Sequence, residues 1–427
     1  MSTITNQQFQ ARLDKVARHP AMSHDNIYLR EGAGAGASGV LIALGGAGLA
    51  LTVVGGVVHG PKHAVASALV GVCTILAVAL GGLFWTMVLH LIGAGWTATV
   101  RRQFENLMSL IWVPFALMVP LLLFEIASGG VMFPWLKAEL AGDMLLEHKA
   151  GWLNPVFFAL RFLAYGALWA ILAMGLWRCS TEQDRTGDRW LTNKARKMSA
   201  WGLPLTAFSI AFVAFDWIMS VDYRFFSTMW GVYYFASVAQ AALCTVVLVL
   251  AVLRLTGRLT GAVTMEHFHD LGKLIFAFTV FWAYITFSQY FLIWYSNIPE
   301  ETAYYVVRTE NGWKNLAMIL SVGHFIVPFL ILMIRRVKES TLGLAAMAAW
   351  MLLMIAADLI WNVRPMVYAG VPVADQPGPV AWWLDVVGLV GPVALFAGLL
   401  VRRVAGGPLV AIKDPRMHEA LSHKNDV

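Results

Sequence analysis

Charge is scarce in this chain. Of its 427 residues only 13% are Asp, Glu, Lys or Arg, against 59% that are hydrophobic. Soluble domains carry about 25% charged and about 45–50% apolar residues, so a string of soluble domains is excluded. Cysteine is scarcer still: Cys73, Cys179 and Cys244 are too few and too scattered for a disulfide framework, a CxxC redox pair, a cysteine-held iron–sulfur cluster or a CxxCH haem attachment. No Walker A run occurs, which argues against an ATP-driven pump. The net charge of +6 points to no nucleic acid, because the cations follow the boundaries of long apolar runs.

Those runs dominate the chain. A membrane-spanning helix needs about 20 mostly apolar residues, and ten stretches qualify: 38–58, 67–92, 107–129, 153–177, 200–222, 228–253, 268–295, 312–335, 341–361 and 380–402, numbered here as spans 1 to 10. The expectation is an all-α integral membrane protein with an N-terminal tail (1–37), a ten-helix domain (38–402) and a C-terminal tail (403–427). Spans 2–5 and 6–9 are expected to form two four-helix bundles in the same orientation, flanked by spans 1 and 10. Spans 5 and 9 carry similar ends, Phe215-Asp216-Trp217-Ile218 and Ala357-Asp358-Leu359-Ile360-Trp361, which hints at an internal repeat. If both termini are cytoplasmic, 22 of the 31 Lys and Arg fall in cytoplasmic segments and six in the opposite loops, as the positive-inside rule requires. The first run lacks a small-residue cleavage site and reads as a retained helix.

Two features invite over-reading. Gly34-Ala-Gly36-Ala-Ser-Gly39 fits GxGxxG, but it leads into a membrane span without a preceding strand, so close helix packing by small residues is the better account. Residues 5–18 have helical spacing of Phe9, Leu13 and Val16 and read either as a surface-lying amphipathic helix or as a solvated tail.

An ionisable group at bilayer depth is expensive, so it is paired, protonated or turned to a cavity. Toward the outside lie Glu125, Asp216, Asp222 and Asp358; toward the inside lie His90, Glu266, His267, His269, Asp270 and Lys273; His324 sits near the middle of span 8. At 100° per residue, Glu266, Asp270, Lys273, Tyr284, Ser288 and Tyr295 share one arc of span 7. This row is either a salt-bridged helix foot with interfacial tyrosines or one wall of a proton or polar pathway. Ser209, Asp216 and Ser220 share a face of span 5, so Asp216 either carries a proton or makes an interhelical hydrogen bond. Asp222 fits the interface, Glu125 fits a cavity wall, and Asp358 fits a pair with a nearby arginine such as Arg364. Haem is disfavoured, because His90, His267, His269 and His324 lie at unmatched depths. His267-x-His269 lacks the second ligand pair a zinc site needs. The prolines at 114, 120, 204 and 328 interrupt spans 3, 5 and 8, an incomplete and asymmetric version of the broken-helix pattern of a secondary transporter.

Three long motifs carry a resemblance: Leu89-His90-Leu91-Ile92-Gly93-Ala94-Gly95-Trp96 with Arg101-Arg102; Phe215-Asp216-Trp217-Ile218-Met219-Ser220 leading into Phe226-Ser227-Thr228; and His269-Asp270-Leu271-Gly272-Lys273 through Phe281-Trp282-Ala283-Tyr284 and Phe287-Ser288-Gln289-Tyr290 to Trp294-Tyr295-Ser296-Asn297-Ile298-Pro299-Glu300-Glu301-Thr302. In this order, and with ten spans of matching placement, the chain resembles the ActF-type subunits of bacterial alternative complex III, within the NrfD/PsrC-like integral membrane family. The resemblance covers most of residues 38–402 and neither tail.

It implies a multi-pass subunit of the bacterial inner membrane in a quinol:cytochrome c or quinol:oxidase electron-transfer complex. It implies partners: a second NrfD-like subunit (ActC), iron–sulfur and multihaem cytochrome c subunits, and in some assemblies a haem-copper oxidase, besides membrane lipids. Iron–sulfur clusters and haem c are expected in those partners and no redox cofactor in this chain, with quinone or lipid confined to its periphery. Proton half-channels have been proposed for such subunits, and Glu125, Asp216, Asp222, Glu266, His267, His269, Asp270, Lys273, Tyr284, Ser288, His324 and Asp358 are the positions here that would map onto one. A ten-helix secondary transporter and a passive scaffold are the alternatives.

Overall fold

The computed structural model describes residues 6–309, 312–369, 371 and 379–425. Among these residues there are helices and turns and no strand. Ten helices are long and apolar enough to cross a membrane: α1 (Ala35–His59), α2 (Pro61–Ile92), α3 (Arg101–Ala127), α4 (Pro155–Thr186), α5 (Arg189–Val221), α6 (Met229–Leu255), α7 (Met265–Ser296), α8 (Trp313–Met333), α9 (Thr341–Val367) and α10 (Trp383–Ala405). The protein is therefore an all-α, multi-pass membrane protein, as its composition predicts.

Helix ends follow local chemistry. Asn154 accepts the Phe157 amide at 2.8 Å before Pro155, Asp188 accepts that of Trp190 at 2.8 Å, and Ser340 accepts that of Gly343 at 3.1 Å, so α4, α5 and α9 begin on side-chain caps. Gly93 ends α2 in the left-handed region at φ 60°, a conformation that costs glycine little.

α2–α5 pack as one four-helix bundle and α6–α9 as a second; α2 and α6 run through the centre and join the two. Both central helices are strongly apolar, and the most apolar stretch of α2 is buried on every side, the expected fate of such a helix in a large core. α1 and α10 lie against one another and against α2. Their contact is a stripe of small residues. A Cβ built at Gly48 would stand 2.7 Å from Gly391 Cα, and Ser38 Oγ donates to the Gly398 carbonyl at 2.8 Å. Of the small residues at 34–39, Gly34 and Ser38 meet α10, whereas Gly36 and Gly39 face open space at the start of the helix.

Three helices are irregular. α3 is broken by a turn at 109–111, and single π-turns interrupt α5 at Ala214–Ile218 and α8 at Ser321–Ile326. Both π-turns carry a buried ionisable residue, Asp216 and His324.

With ten crossings the termini share one face, here the terminal face, and their segments meet there. Leu409 N donates to Ile27 O at 2.8 Å. The helix Asn6–Ala17 buries Phe9 and Val16, with the Arg189 guanidinium 4.8 Å from the Phe9 ring centre. Residues 5–18 were expected on lipid or in solvent. From Asn6 onward the segment docks on the protein instead, because its apolar stripe finds a partner among the protein's own residues.

Candidate functional site

The second bundle holds a buried polar network that reaches from its spans into the connection between α7 and α8. Gln240 on α6 donates through Nε2 to Thr279 Oγ1 on α7 at 2.9 Å, and its Oε1 lies 3.1 Å from His324 Nε2 on α8. The His324 ring stacks on Trp282 with centroids 3.8 Å apart. Trp282 Nε1 reaches Asp358 Oδ2 on α9 at 3.4 Å, and the Tyr233 hydroxyl on α6 donates to Asp358 Oδ1. Asn362, one turn after Asp358, donates to Tyr233 Oη at 3.0 Å and accepts from the Tyr304 hydroxyl at 2.8 Å. Arg308 closes the row: it donates to the Tyr304 and Asn362 carbonyls at 2.8 and 2.5 Å, and its guanidinium lies 3.5 Å from the Tyr304 ring centre. Every one of these side chains is buried. In hydrocarbon an unpaired polar group costs several kcal/mol; the members satisfy one another except at His324 Nδ1 and Arg308 Nε, which have no hydrogen-bond partner among the described residues.

Asp216 organises the first bundle. Arg161 Nε and NH2 donate to its two oxygens at 2.9 and 2.8 Å, Trp152 Nε1 at 2.8 Å and the Tyr165 hydroxyl at 2.9 Å. The Arg161 guanidinium also covers the Trp152 ring at 4.1 Å. Four donors converge on one buried carboxylate and tie α4, α5 and the 149–154 loop together.

A third cluster lies at the terminal face. Arg101 bridges Glu105 (3.0 Å) and Asp414 (2.5 Å), Arg102 pairs with Glu105 (3.3 Å) and with Asp184, and Ser180 donates to Glu105 at 2.7 Å. Arg101, Arg102, Glu105 and Asp414 are buried. The Arg-Arg-x-x-Glu spacing places the three on one turn of α3, a signal that reading the two arginines only as topology markers passes over.

The sequence-derived positions divide accordingly. Asp358 and His324 join the second-bundle network. Asp358 does not pair with arginine as expected: Arg364 turns to Asp385 on α10, which also accepts from Ser67 at 2.7 Å. Glu125, expected at a cavity wall, is buried against the chain after α3. Its carboxyl oxygens accept the Met132 and Phe133 amides at 2.9–3.0 Å and pin the turn after α3. Asp222 is half-buried in the loop after α5, where it accepts the Arg224 amide at 3.2 Å.

At the α7 foot, Asp270 takes Lys273 at 2.8 Å and His423 at 2.7 Å, and Glu266 takes Asn425 at 2.7 Å. His267 lies 3.1 Å from Thr99 Oγ1 and caps α7 with Thr264; its neighbour His269 is also buried. The polar foot of α7 thus packs against the C-terminal segment. Along α7 the expected wall is turned the other way: Tyr284 is 64% and Tyr295 77% exposed, Lys273 is exposed and Ser288 only half-buried, while Thr279, Trp282 and Gln289 face inward. Helical arithmetic identifies residues that share a face but not which face meets the bundle, and aromatics suit lipid and core alike. Tyr284 and Ser288 therefore line no interior path within this chain.

Sequence reasoning passed over Gln240, Tyr233, Asn362, Tyr304 and Arg308. The first four are uncharged, and Arg308 sits in what reads as a loop. Among the described residues no group of three or more His, Cys, Asp or Glu is arranged to hold a metal ion. In comparisons with known proteins, no family model matches the chain and no curated protein matches it at a significant level.

Proposed function

We propose that the chain is a membrane subunit of a quinol:cytochrome c or quinol:oxidase complex of the alternative complex III type. In it the subunit scaffolds its partners and carries protons through the second bundle, with both termini on the cytoplasmic side. The motif resemblance supports the family assignment. The observation that carries the transport role is the buried row from Gln240 and His324 through Asp358, Tyr233 and Asn362 to Tyr304. Its members include groups that can gain or lose a proton, imidazole, carboxyl and phenol, with Gln240 and Asn362 holding them in register and Trp282 linking His324 to Asp358 by stacking on one and donating to the other. The row runs from the middle of α8 toward the loop before it, away from the terminal face, a direction that supports reading it as the buried part of a half-channel. Electron transfer itself is assigned to the iron–sulfur and haem c partners, and coupling to the contact with the second NrfD-like subunit.

The test is proton release per electron by the purified assembly in liposomes. Asp358→Asn and Gln240→Leu are expected to lower the ratio while quinol oxidation and assembly persist. An unchanged ratio in both, with the complex intact, leaves a scaffold only. Purification separates the transporter alternative: haem c absorbance co-eluting with the chain supports the complex, and a lone colourless protein overturns it.

A further inference from the structure

A cavity of about 490 Å³ opens at the terminal face where the start of α3, the end of α4 and the end of α10 meet. No Asp or Glu lines it, whereas Arg102, Arg402 and Arg403 do. Two guanidinium groups lie over the Trp177 ring, Arg403 at 3.9 Å and Arg102 at 5.5 Å from its centre. Arg403 Nε donates to Ser109 Oγ at 2.9 Å. Arg102 is 1% exposed, and its Nε has no hydrogen-bond partner among the described residues. The carboxylates of Glu105 and Asp184 engage the NH1 and NH2 side of Arg102, so they leave Arg402 and Arg403 unmatched. The rim is apolar: Trp112 is 56% exposed and Leu110 and Leu399 lie beside it.

We propose that this cavity binds the phosphate headgroup of an anionic phospholipid, with the acyl chains lying on Trp112 and Leu399. A guanidinium pair at a membrane boundary recognises phosphate with several donors at once, and basic pockets between membrane helices are suited to such headgroups. Free phosphate shares the headgroup chemistry but gains nothing from the apolar rim. The inference stands apart from the second-bundle half-channel, which lies toward the other face.

The experiment is native mass spectrometry of the delipidated full chain titrated with phosphatidylglycerol, phosphatidylcholine or inorganic phosphate. Wild type is expected to retain phosphatidylglycerol over phosphatidylcholine. R402Q/R403Q is expected to weaken phosphatidylglycerol binding about 30-fold, while the exposed control pair R335Q/R336Q leaves it as in wild type and R402K/R403K preserves the preference for the anionic lipid. Equal retention of both lipids by wild type overturns the proposal whatever the variants do. So does equal loss in R335Q/R336Q, or displacement of the lipid by an equal concentration of inorganic phosphate.

Discussion

Asp216→Asn is the sharpest test of the first-bundle anchor. Asp216 is 1% and Arg161 6% exposed, and the carboxylate receives four bonds of 2.8–2.9 Å. An amide of the same shape offers one acceptor oxygen to those donors and turns an N–H group toward them, while the guanidinium is left without a counter-charge. Removing one partner of a buried pair costs about 3–5 kcal/mol, and the donor clash puts Asn near the top of that range. Replacing both ends by apolar groups, R161M/D216L, removes the stranded charge, so the double variant should lie within about 2 kcal/mol of wild type on either side. With R161M and D216L as the matching single variants, at about 3–5 kcal/mol each, the cycle yields a coupling of at least about 4 kcal/mol. Denaturant unfolding in micelles, followed by tryptophan fluorescence, measures it. K273A supplies the contrast: Lys273 is exposed, and its bond to Asp270 should be worth less than about 1 kcal/mol. If D216N is as mild as K273A, or if the single costs simply add in the double variant, Asp216 is not held by the pair and the anchoring role fails.

Two further outcomes follow from the loops. E125A should destabilise the fold by about 3 kcal/mol, since two buried amides lose charged acceptors, and E125Q by less because one oxygen remains; the same unfolding assay decides, and equal effects would refute the anchoring of residues 129–133. Asp143 lies outside the membrane, and bonds from the Tyr223 hydroxyl and the Leu146 amide hold its carboxyl below the usual carboxylate range. A lowered value means that the contact contributes fully above the ordinary Asp range and is lost as pH falls through the lowered one. Hydrogen exchange at 144–149, corrected for intrinsic rate, should therefore speed up on acidification in wild type and show no such step in D143N.

The ten crossings were legible because hydropathy and length suffice for them, but their ends were not. α2 starts at Pro61 and α5 at Arg189, earlier than 67 and 200, since polar helical extensions do not register as apolar. That Asp216 and Asp358 are interior was legible from the cost of a bare carboxyl in lipid. Their partners were not: Tyr165, Trp152 and Tyr233 are residues equally at home facing acyl chains, and Arg161 read as a helix-end cation. Rotation of α7 was illegible for the same reason, since a membrane removes the contrast between an apolar core and a polar surround that orients a soluble helix. The docking of the tails was not legible because their contacts, Phe9 with Arg189 and Asp414 with Arg101, lie far apart in sequence.

The Arg101–Asp414 bridge has a bearing on biosynthesis. Arg101 leaves the ribosome with the start of α3, Asp184 follows with the end of α4, and Asp414 emerges only after all ten crossings have been made. The buried cluster therefore stays incomplete throughout translation, and its last counter-charge arrives when the helices it joins are already in place. A nascent chain halted after α10 would keep an arginine without that neutralising partner, which marks it as unfinished to any quality-control protease that reads exposed charge at the membrane boundary.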